Sequence, residues 1–236
     1  MSPANPQPAR MLATVVGGSG FIGRYVVGAL ARQGWRVRVA ARQPHLAHHL
    51  QPLGTVGQIM PVQANVRYPD SLSAACSGAD AVINLVAILY NAGAQKFDTV
   101  NAAGAGAVAE AARKAGARRL VHISAIGADP DSTSEYARSK AEGEANARAA
   151  FGEAIIVRPS IVFGPEDAFF NRFAGMAWRA RASPSALLRA KAEGESGSAP
   201  SADMWMRRRA PASRAACATA PEPSTWIASN VWAPEL

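Results

Sequence analysis

The chain is predicted to be an α/β protein with a doubly wound parallel sheet, and three observations predict it. Short, nearly continuous apolar runs alternate with helical patterns between residues 12 and 157, as expected for strands covered by helices on both faces. The first run leads directly into a glycine loop, Gly17-Gly18-Ser19-Gly20-Phe21-Ile22-Gly23. The chain has 236 residues, 49% apolar and 18% charged, which suits one large core of that class.

Each element can be placed in order. Residues 12–16 form the first strand, and the loop opens a helix whose apolar side chains recur three to four apart until Gly34 stops it. Residues 36–41 read as the second strand, 44–53 as a short helix, 59–66 as the third strand and 71–76 as a helix. Residues 81–86 are the fourth strand, followed by a long alanine-rich helix over 97–115 closed by Gly116. The fifth strand is 120–124, the next helix 136–150 and the sixth strand 155–157. In such a sheet ligands bind at the carboxyl ends of the strands.

Composition excludes several classes. The net charge of +8 is scattered rather than run together, so no basic stripe interleaved with aromatics points to nucleic acid. Cys76 and Cys217 are far apart and lack metal spacing, which fits a reducing compartment. No apolar run approaches the roughly 20 residues needed to span a bilayer, so a cytoplasmic protein without a transmembrane segment is expected. Residues 1–10 hold three prolines and no apolar leader, and are expected to be a flexible tail. Residues 11–177 are expected to form the nucleotide-binding domain. Beyond them, residues 178–236 carry four of the five tryptophans but no Phe or Tyr. This composition is low in complexity and poor in core-forming residues. Two readings are open for it, a disordered tail or a shifted reading frame, and the abrupt break favours the second.

The loop carries the clearest chemistry. Gly17, Gly20 and Gly23 have the spacing GxxGxxG, with a strand before and a helix after. The first allows the turn, the second lets main-chain N–H groups approach phosphate oxygens, and the third lets the helix pack closely. The N–H groups and dipole of the helix start favour a pyrophosphate. A dinucleotide is therefore expected, against Gly17, Gly20, Phe21, Ile22 and Gly23. The second strand ends Ala40-Ala41-Arg42-Gln43, with no acid to bind a ribose 2′-hydroxyl and an arginine suited to a 2′-phosphate. NADP(H) is expected over NAD(H), with Arg24 as a second cation near the phosphates.

Tyr136 and Lys140 stand at i and i+4 on one helix face. An ammonium beside a phenol favours the phenolate, drawing a pKa near 10 downward so that the tyrosine can move a proton. Ser124 closes the fifth strand and is expected at the same crevice, with Asn84, Ala87 and Asn101 around it. For Asn84 and Asn101, capping and loop bonding are nearly equal alternatives. His45, His48 and His49 are expected on a surface helix rather than around a metal, and His122 as a satisfied histidine inside the sheet.

The combination of Gly17-x-x-Gly20-x-x-Gly23, Asn84-Leu85-Val86-Ala87, Tyr136-x-x-x-Lys140 and Arg158-Pro159-Ser160-Ile161-Val162-Phe163-Gly164-Pro165 resembles the extended and atypical short-chain dehydrogenase/reductases, the group containing NAD-dependent epimerase/dehydratases. The runs from His122 to Asp129 and from Arg158 to Asp167, with Phe169-Phe170-Asn171-Arg172-Phe173, resemble one branch. That branch is the bacterial relatives of the nucleotide-binding accessory subunit of respiratory complex I. The resemblance implies a Rossmann fold with strand order 3-2-1-4-5-6 and a small substrate domain, which here is missing or replaced. It implies cofactor contacts from Asn65 and Val66, where an acid and an aliphatic residue are usual, and from Ala87, Tyr136, Lys140 and Pro159. In catalytic members, residues at the positions of Ser124, Tyr136 and Lys140 transfer a hydride between nicotinamide and a carbonyl or alcohol. In the complex I subunit the NADPH is structural, which implies respiratory-chain partners and a peripheral place at the inner membrane. An active oxidoreductase or epimerase is the alternative.

Overall fold

The computed structural model describes residues 11–167 together with 170, 171, 174 and 175; the expected tails over 1–10 and 178–236 lie outside the described residues. The chain divides into two compact units between Ile161 and Val162.

The first unit is a six-stranded parallel sheet in the order β3-β2-β1-β4-β5-β6, the order the family resemblance implies. Its strands are β1 (Leu12–Val16), β2 (Arg36–Ala41), β3 (Ile59–Gln63), β4 (Ala81–Asn84), β5 (Arg119–Ile123) and β6 (Ile155–Val157). Its α-helices are α1 (Phe21–Arg32), α2 (Pro69–Cys76), α3 (Ala103–Lys114) and α4 (Glu135–Ala150). The alternation of side chains along each strand feeds two cores. Val15, Val37, Val39, Ile83 and Val121 pack under α1 with Val27 and Leu30. Val16, Val82 and Leu120 pack under the opposite helices with Leu72, Val108 and Ala147. Removing a Val or Leu side chain from water in this way contributes roughly 2 kcal/mol each before entropy is counted.

Several boundaries differ from expectation, each for a local reason. β3 stops at Gln63 because Asn65 Oδ1 accepts the Arg67 N–H at 3.1 Å, an Asx turn that takes the backbone out of the ladder. Similarly, β4 ends at Asn84, whose Oδ1 accepts the Val86 N–H at 3.1 Å. Pro69 begins α2 two residues earlier than read from sequence, a position where proline loses no helical hydrogen bond. The segment Pro44–Leu53 is a 3₁₀ helix with Ala47 and Leu50 buried and His45, His48 and His49 exposed.

The helix expected over 97–115 starts as a π-helical turn, Asp98–Ala102, before α3. A Cβ at Gly143 of α4 would overlap the Asn101 carbonyl oxygen, so the two backbones touch where the turn widens. Such widened turns commonly sit beside functional sites.

In the second unit the described residues form a local turn. Asp167 accepts the Gly164 N–H at 3.2 Å, Asn171 Nδ2 donates to the Pro165 carbonyl at 2.8 Å, and Phe163 and Phe170 meet edge to face at 5.9 Å.

Candidate functional site

The strand order reverses direction at β1 and β4, and there the glycine loop opens. Gly17 accepts a left-handed φ of 81°, which glycine adopts without strain. Gly23 has no room for a side chain, since a Cβ would overlap the Gly18 carbonyl oxygen. Gly20 is the N-cap of α1 and supplies no side chain to the first turn, which holds no acid. The first main-chain bond of that turn runs from Arg24 N–H to Gly20 O at 3.1 Å. The N–H groups of Phe21, Ile22 and Gly23 therefore precede the helical ladder and point toward an anion site. Arg24 is half-buried in this turn.

A cleft of about 260 Å³ lies against this loop. Gly17, Gly20, Arg42, Asn65, Val66 and Ala87 line it, with Ser19, Ile88, Gln95 and Val100 among others. Six expected cofactor residues thus meet in one place. Phe21, Ile22 and Gly23 form the first turn of α1, and Tyr136, Lys140 and Pro159 are likewise not among the residues lining the cleft. Arg42 is exposed, its Nη1 donating to Gln95 Oε1 at 2.9 Å. A bare helix N-terminus and a side-chain-free approach at Gly20 fit the pyrophosphate of a nicotinamide dinucleotide. A larger hollow of about 1010 Å³ flanks α4 and is lined by charges of both signs, including Lys96, Asp98, Glu142 and Arg148. It lacks the glycine loop and its N–H groups, which belong to the smaller cleft.

Ser124, Tyr136 and Lys140 belong to a second construction, buried polar groups between β5 and α4. Lys140 is 1% exposed, and its Nζ donates to the Ile123 carbonyl at 2.9 Å. Burial pulls its pKa from 10.5 to about 8, against an opposing pull from Glu144. Tyr136 is half-buried with its ring edge-on to Phe97 at 6.0 Å. The lowering of this phenol expected from the i, i+4 spacing is not found, because burial holds it above its usual value. Spacing puts both side chains on one face, but that face packs on β5, where a long lysine finds a carbonyl.

His122 corrects a second expectation, since only one of its ring nitrogens is satisfied. Asn84 Nδ2 donates to its Nδ1 at 3.1 Å, as Asn84 Oδ1 already accepts from Val86, so the proton sits on Nε2. That Nε2 and Ser124 Oγ are buried without a hydrogen-bond partner among the described residues. Burial, followed by the Lys140 charge, lowers the His122 pKa to about 4 against an upward pull from Glu144, so the ring is neutral near pH 7. Asn101 takes its bland alternative: it bonds the Ile88 backbone in both directions, at 2.9 and 3.1 Å, and donates to Ser139 Oγ at 3.1 Å.

Sequence reasoning missed Glu144. It is 2% exposed and holds Arg158 through two bonds, Nε to Oε1 at 2.8 Å and Nη2 to Oε2 at 2.7 Å. Burial raises its carboxyl, but the Arg158 and Ser124 contacts and nearby arginine charges outweigh that and leave it below the usual range. The available signal was its position four residues beyond Lys140, which reads equally well as a solvated ion pair.

Residues 13–193 match the sequence profile of the NAD dependent epimerase/dehydratase family. The chain belongs to that family. Within it, the chain is 39% identical over 169 residues to NADH dehydrogenase (ubiquinone) 1 alpha subcomplex subunit 9, mitochondrial, of Mus musculus, covering 71% of this chain and 45% of the relative. It is 36% identical over 164 residues to the NADH-ubiquinone oxidoreductase 40 kDa subunit of Neurospora crassa, covering 70% and 44%. It is also 38% identical over 159 residues to the ceramide reductase of Caulobacter vibrioides, covering 67% and 49%. The chain spans less than half the length of these relatives. Among solved structures, a Bacillus halodurans protein described as an NAD-dependent epimerase/dehydratase aligns with a TM-score of 0.57 at 26% identity, over 67% of this chain and 74% of that one. A triphenylmethane reductase from Citrobacter, at 18% identity and a TM-score of 0.54 over 64% and 50%, shares the fold. This epimerase/dehydratase domain therefore carries the family's nicotinamide dinucleotide fold and is homologous to complex I accessory subunits. Among the described residues no helix is long and apolar enough to cross a membrane.

Proposed function

We propose that this epimerase/dehydratase domain binds NADP(H) as a structural cofactor and docks on respiratory-chain components, in the manner of the complex I accessory subunits it resembles. One observation carries the structural reading. Lys140, the group that would assist the Tyr136 phenol, is committed to the Ile123 carbonyl at 2.9 Å, and burial raises that phenol instead of lowering it toward a base. When bound, the nicotinamide supplies hydride chemistry. The chain's own residues support holding it: Gly17 and Gly20 leave main-chain approach to the phosphates, Asn65 and Val66 flank the adenine side, and Arg42 faces a 2′-phosphate. The absence of an acid at the end of β2 supports NADP(H) over NAD(H). Residues 11–177 act as the binding domain, and a peripheral station at the inner membrane follows from the partners proposed.

The test is a parallel titration of the purified chain with NADPH and NADH, followed by thermal melting. NADPH should raise the melting temperature more than NADH, with no carbonyl reduction at ordinary enzyme rates. Equal shifts would remove the Arg42 argument, and brisk turnover would remove the structural role.

A second reading is an active reductase, favoured by the presence of Ser124, Tyr136 and Lys140, with Lys140 Nζ on the carbonyl of Ile123 next to Ser124, and by similarity to a ceramide reductase. The exposed apolar side chains of Leu89, Tyr90 and Ile126 in the loops after β4 and β5 suit an apolar carbonyl substrate. In this reading Ser124 orients the carbonyl oxygen and Tyr136 delivers the proton, so Tyr136→Phe abolishes turnover and leaves cofactor affinity intact.

A further inference from the structure

We propose that Glu144 is a positioning residue of this site: clamped by Arg158, it supplies the buried negative charge that keeps Lys140 an ammonium ion and ties the Arg158-Pro159 segment to α4. The proposal rests on the cofactor-binding reading and adds a residue to it. Tyr136, Lys140 and Glu144 occupy successive steps of four on α4, so one helix face carries all three. Two of them are almost wholly buried, Lys140 at 1% and Glu144 at 2% exposed. An ammonium taken that far from water, with one carbonyl acceptor among the described residues, tends to shed its proton unless a buried anion opposes the change.

Among the described residues, Glu144 is the acid that acts on Lys140. His122 of β5 faces the lysine but is neutral near pH 7, since burial and Lys140 itself discourage its protonation. Ser124, just past β5, brings a hydroxyl near the Glu144 carboxylate without reaching hydrogen-bond geometry with any described group. Arg158, after β6, is half exposed, so water screens its charge from Lys140 while its two bonds fix the carboxylate. Arg148, one turn further along α4, also pulls on Glu144. Glu144 is thereby held ionised from its outer side and acts on Lys140 from within.

The main chain gives the same junction a second function. Ser124 N–H donates to the Val157 carbonyl at 2.7 Å, and Ile126 N–H to the Pro159 carbonyl at 2.9 Å. The end of β5 and the segment after β6 are thus zipped together, and the Glu144–Arg158 pair adds α4 as the third side. Ser124, Lys140 and Pro159, one expected from each side, all depend on this tie for their relative placement.

The test measures NADPH affinity against pH for the whole chain and for Glu144→Gln. Wild-type affinity is expected to be level below about pH 8 and to weaken above it as Lys140 loses its proton. In Glu144→Gln the break moves down by about one pH unit, so the loss of affinity relative to wild type is about fivefold greater at pH 8 than at pH 6. Glu144→Asp, which keeps the charge, returns the break toward the wild-type position. A merely structural role would weaken binding by the same factor at every pH, and that result overturns the proposal. If Glu144→Gln does not fold, the double variant Glu144→Gln/Arg158→Gln removes both charges and must show the same downward shift; an unmoved break there is equally fatal. Should the wild type bind no nicotinamide dinucleotide, the cofactor reading fails separately. The Lys140 ionisation is then read from melting temperature against pH, with Lys140→Met as the blank, where Glu144→Gln must again lower the midpoint.

Discussion

The two halves of the sheet's carboxyl edge are built from different materials. At β1 and β2 the cleft is made by backbone: glycines remove side chains, and the N–H groups at the start of α1 precede the helical ladder. Between β5 and α4 the site is made by side chains, with Lys140, Glu144, His122 and Ser124 taken out of water. A backbone site keeps its chemistry at any pH and fails only when its shape is lost. A buried side-chain site holds charges at a cost to stability, and its chemistry depends on which partner carries the proton.

The largest effect expected from breaking this contrast is at Gly23. Gly23→Ala pushes a Cβ into the Gly18 carbonyl, where only rigid backbone can move, and should destabilise the fold by about 3 kcal/mol and abolish NADPH protection in thermal melts. A variant that melts like wild type and still responds to NADPH would show that the loop does not pack this way.

Acid should act on the other half alone. His122 has a folded pKa of about 4 against 6.5 unfolded, so between those values the unfolded chain binds the extra proton. Its contribution is complete above pH 6.5 and fades as pH falls to 4, by roughly 3 kcal/mol at most. Urea titrations across this window should show a steep limb in wild type and a shallower one in His122→Gln. Identical limbs would mean that His122 is not the group that titrates.

Lys140 gives a change of the same sign with pH, in a higher range. Its lowered pKa means that the ammonium is held at a cost, complete below about pH 8 and relieved as pH rises toward 10.5. Lys140→Met should therefore stabilise the chain near pH 7 by about 2 kcal/mol while weakening NADPH binding. A fall in both quantities would place the lysine in the packing rather than in the site.

The mildest change is expected at exposed Arg42. Arg42→Ala should weaken NADPH binding about tenfold and leave NADH binding unchanged, which isothermal titration resolves. An equal loss for both cofactors would end the argument for 2′-phosphate selection.

The same contrast explains what could be read in advance. Periodicity located all six strands and the helices on both faces, because each strand is buried on both sides and reads as an apolar run. It missed the π-helical turn at Asp98–Ala102, since that widening answers to Gly143 on a helix some forty residues away. The glycine loop was legible because its function lies in residues that carry no side chain. The Tyr136–Lys140 pair was legible as a spacing but not as a geometry, for nothing local says that Lys140 bends to the Ile123 carbonyl.

The sequence by itself determined the parallel sheet, the glycine turn and the choice of residues at the β2 end, all of which follow from interactions between near neighbours in the chain. Only the tertiary structure decided that Glu144 meets Arg158, that His122 keeps one nitrogen without a partner among the described residues and that the Tyr136 phenol is held high. Those outcomes depend on how completely distant segments exclude water, and exclusion of water is a property of the packed whole.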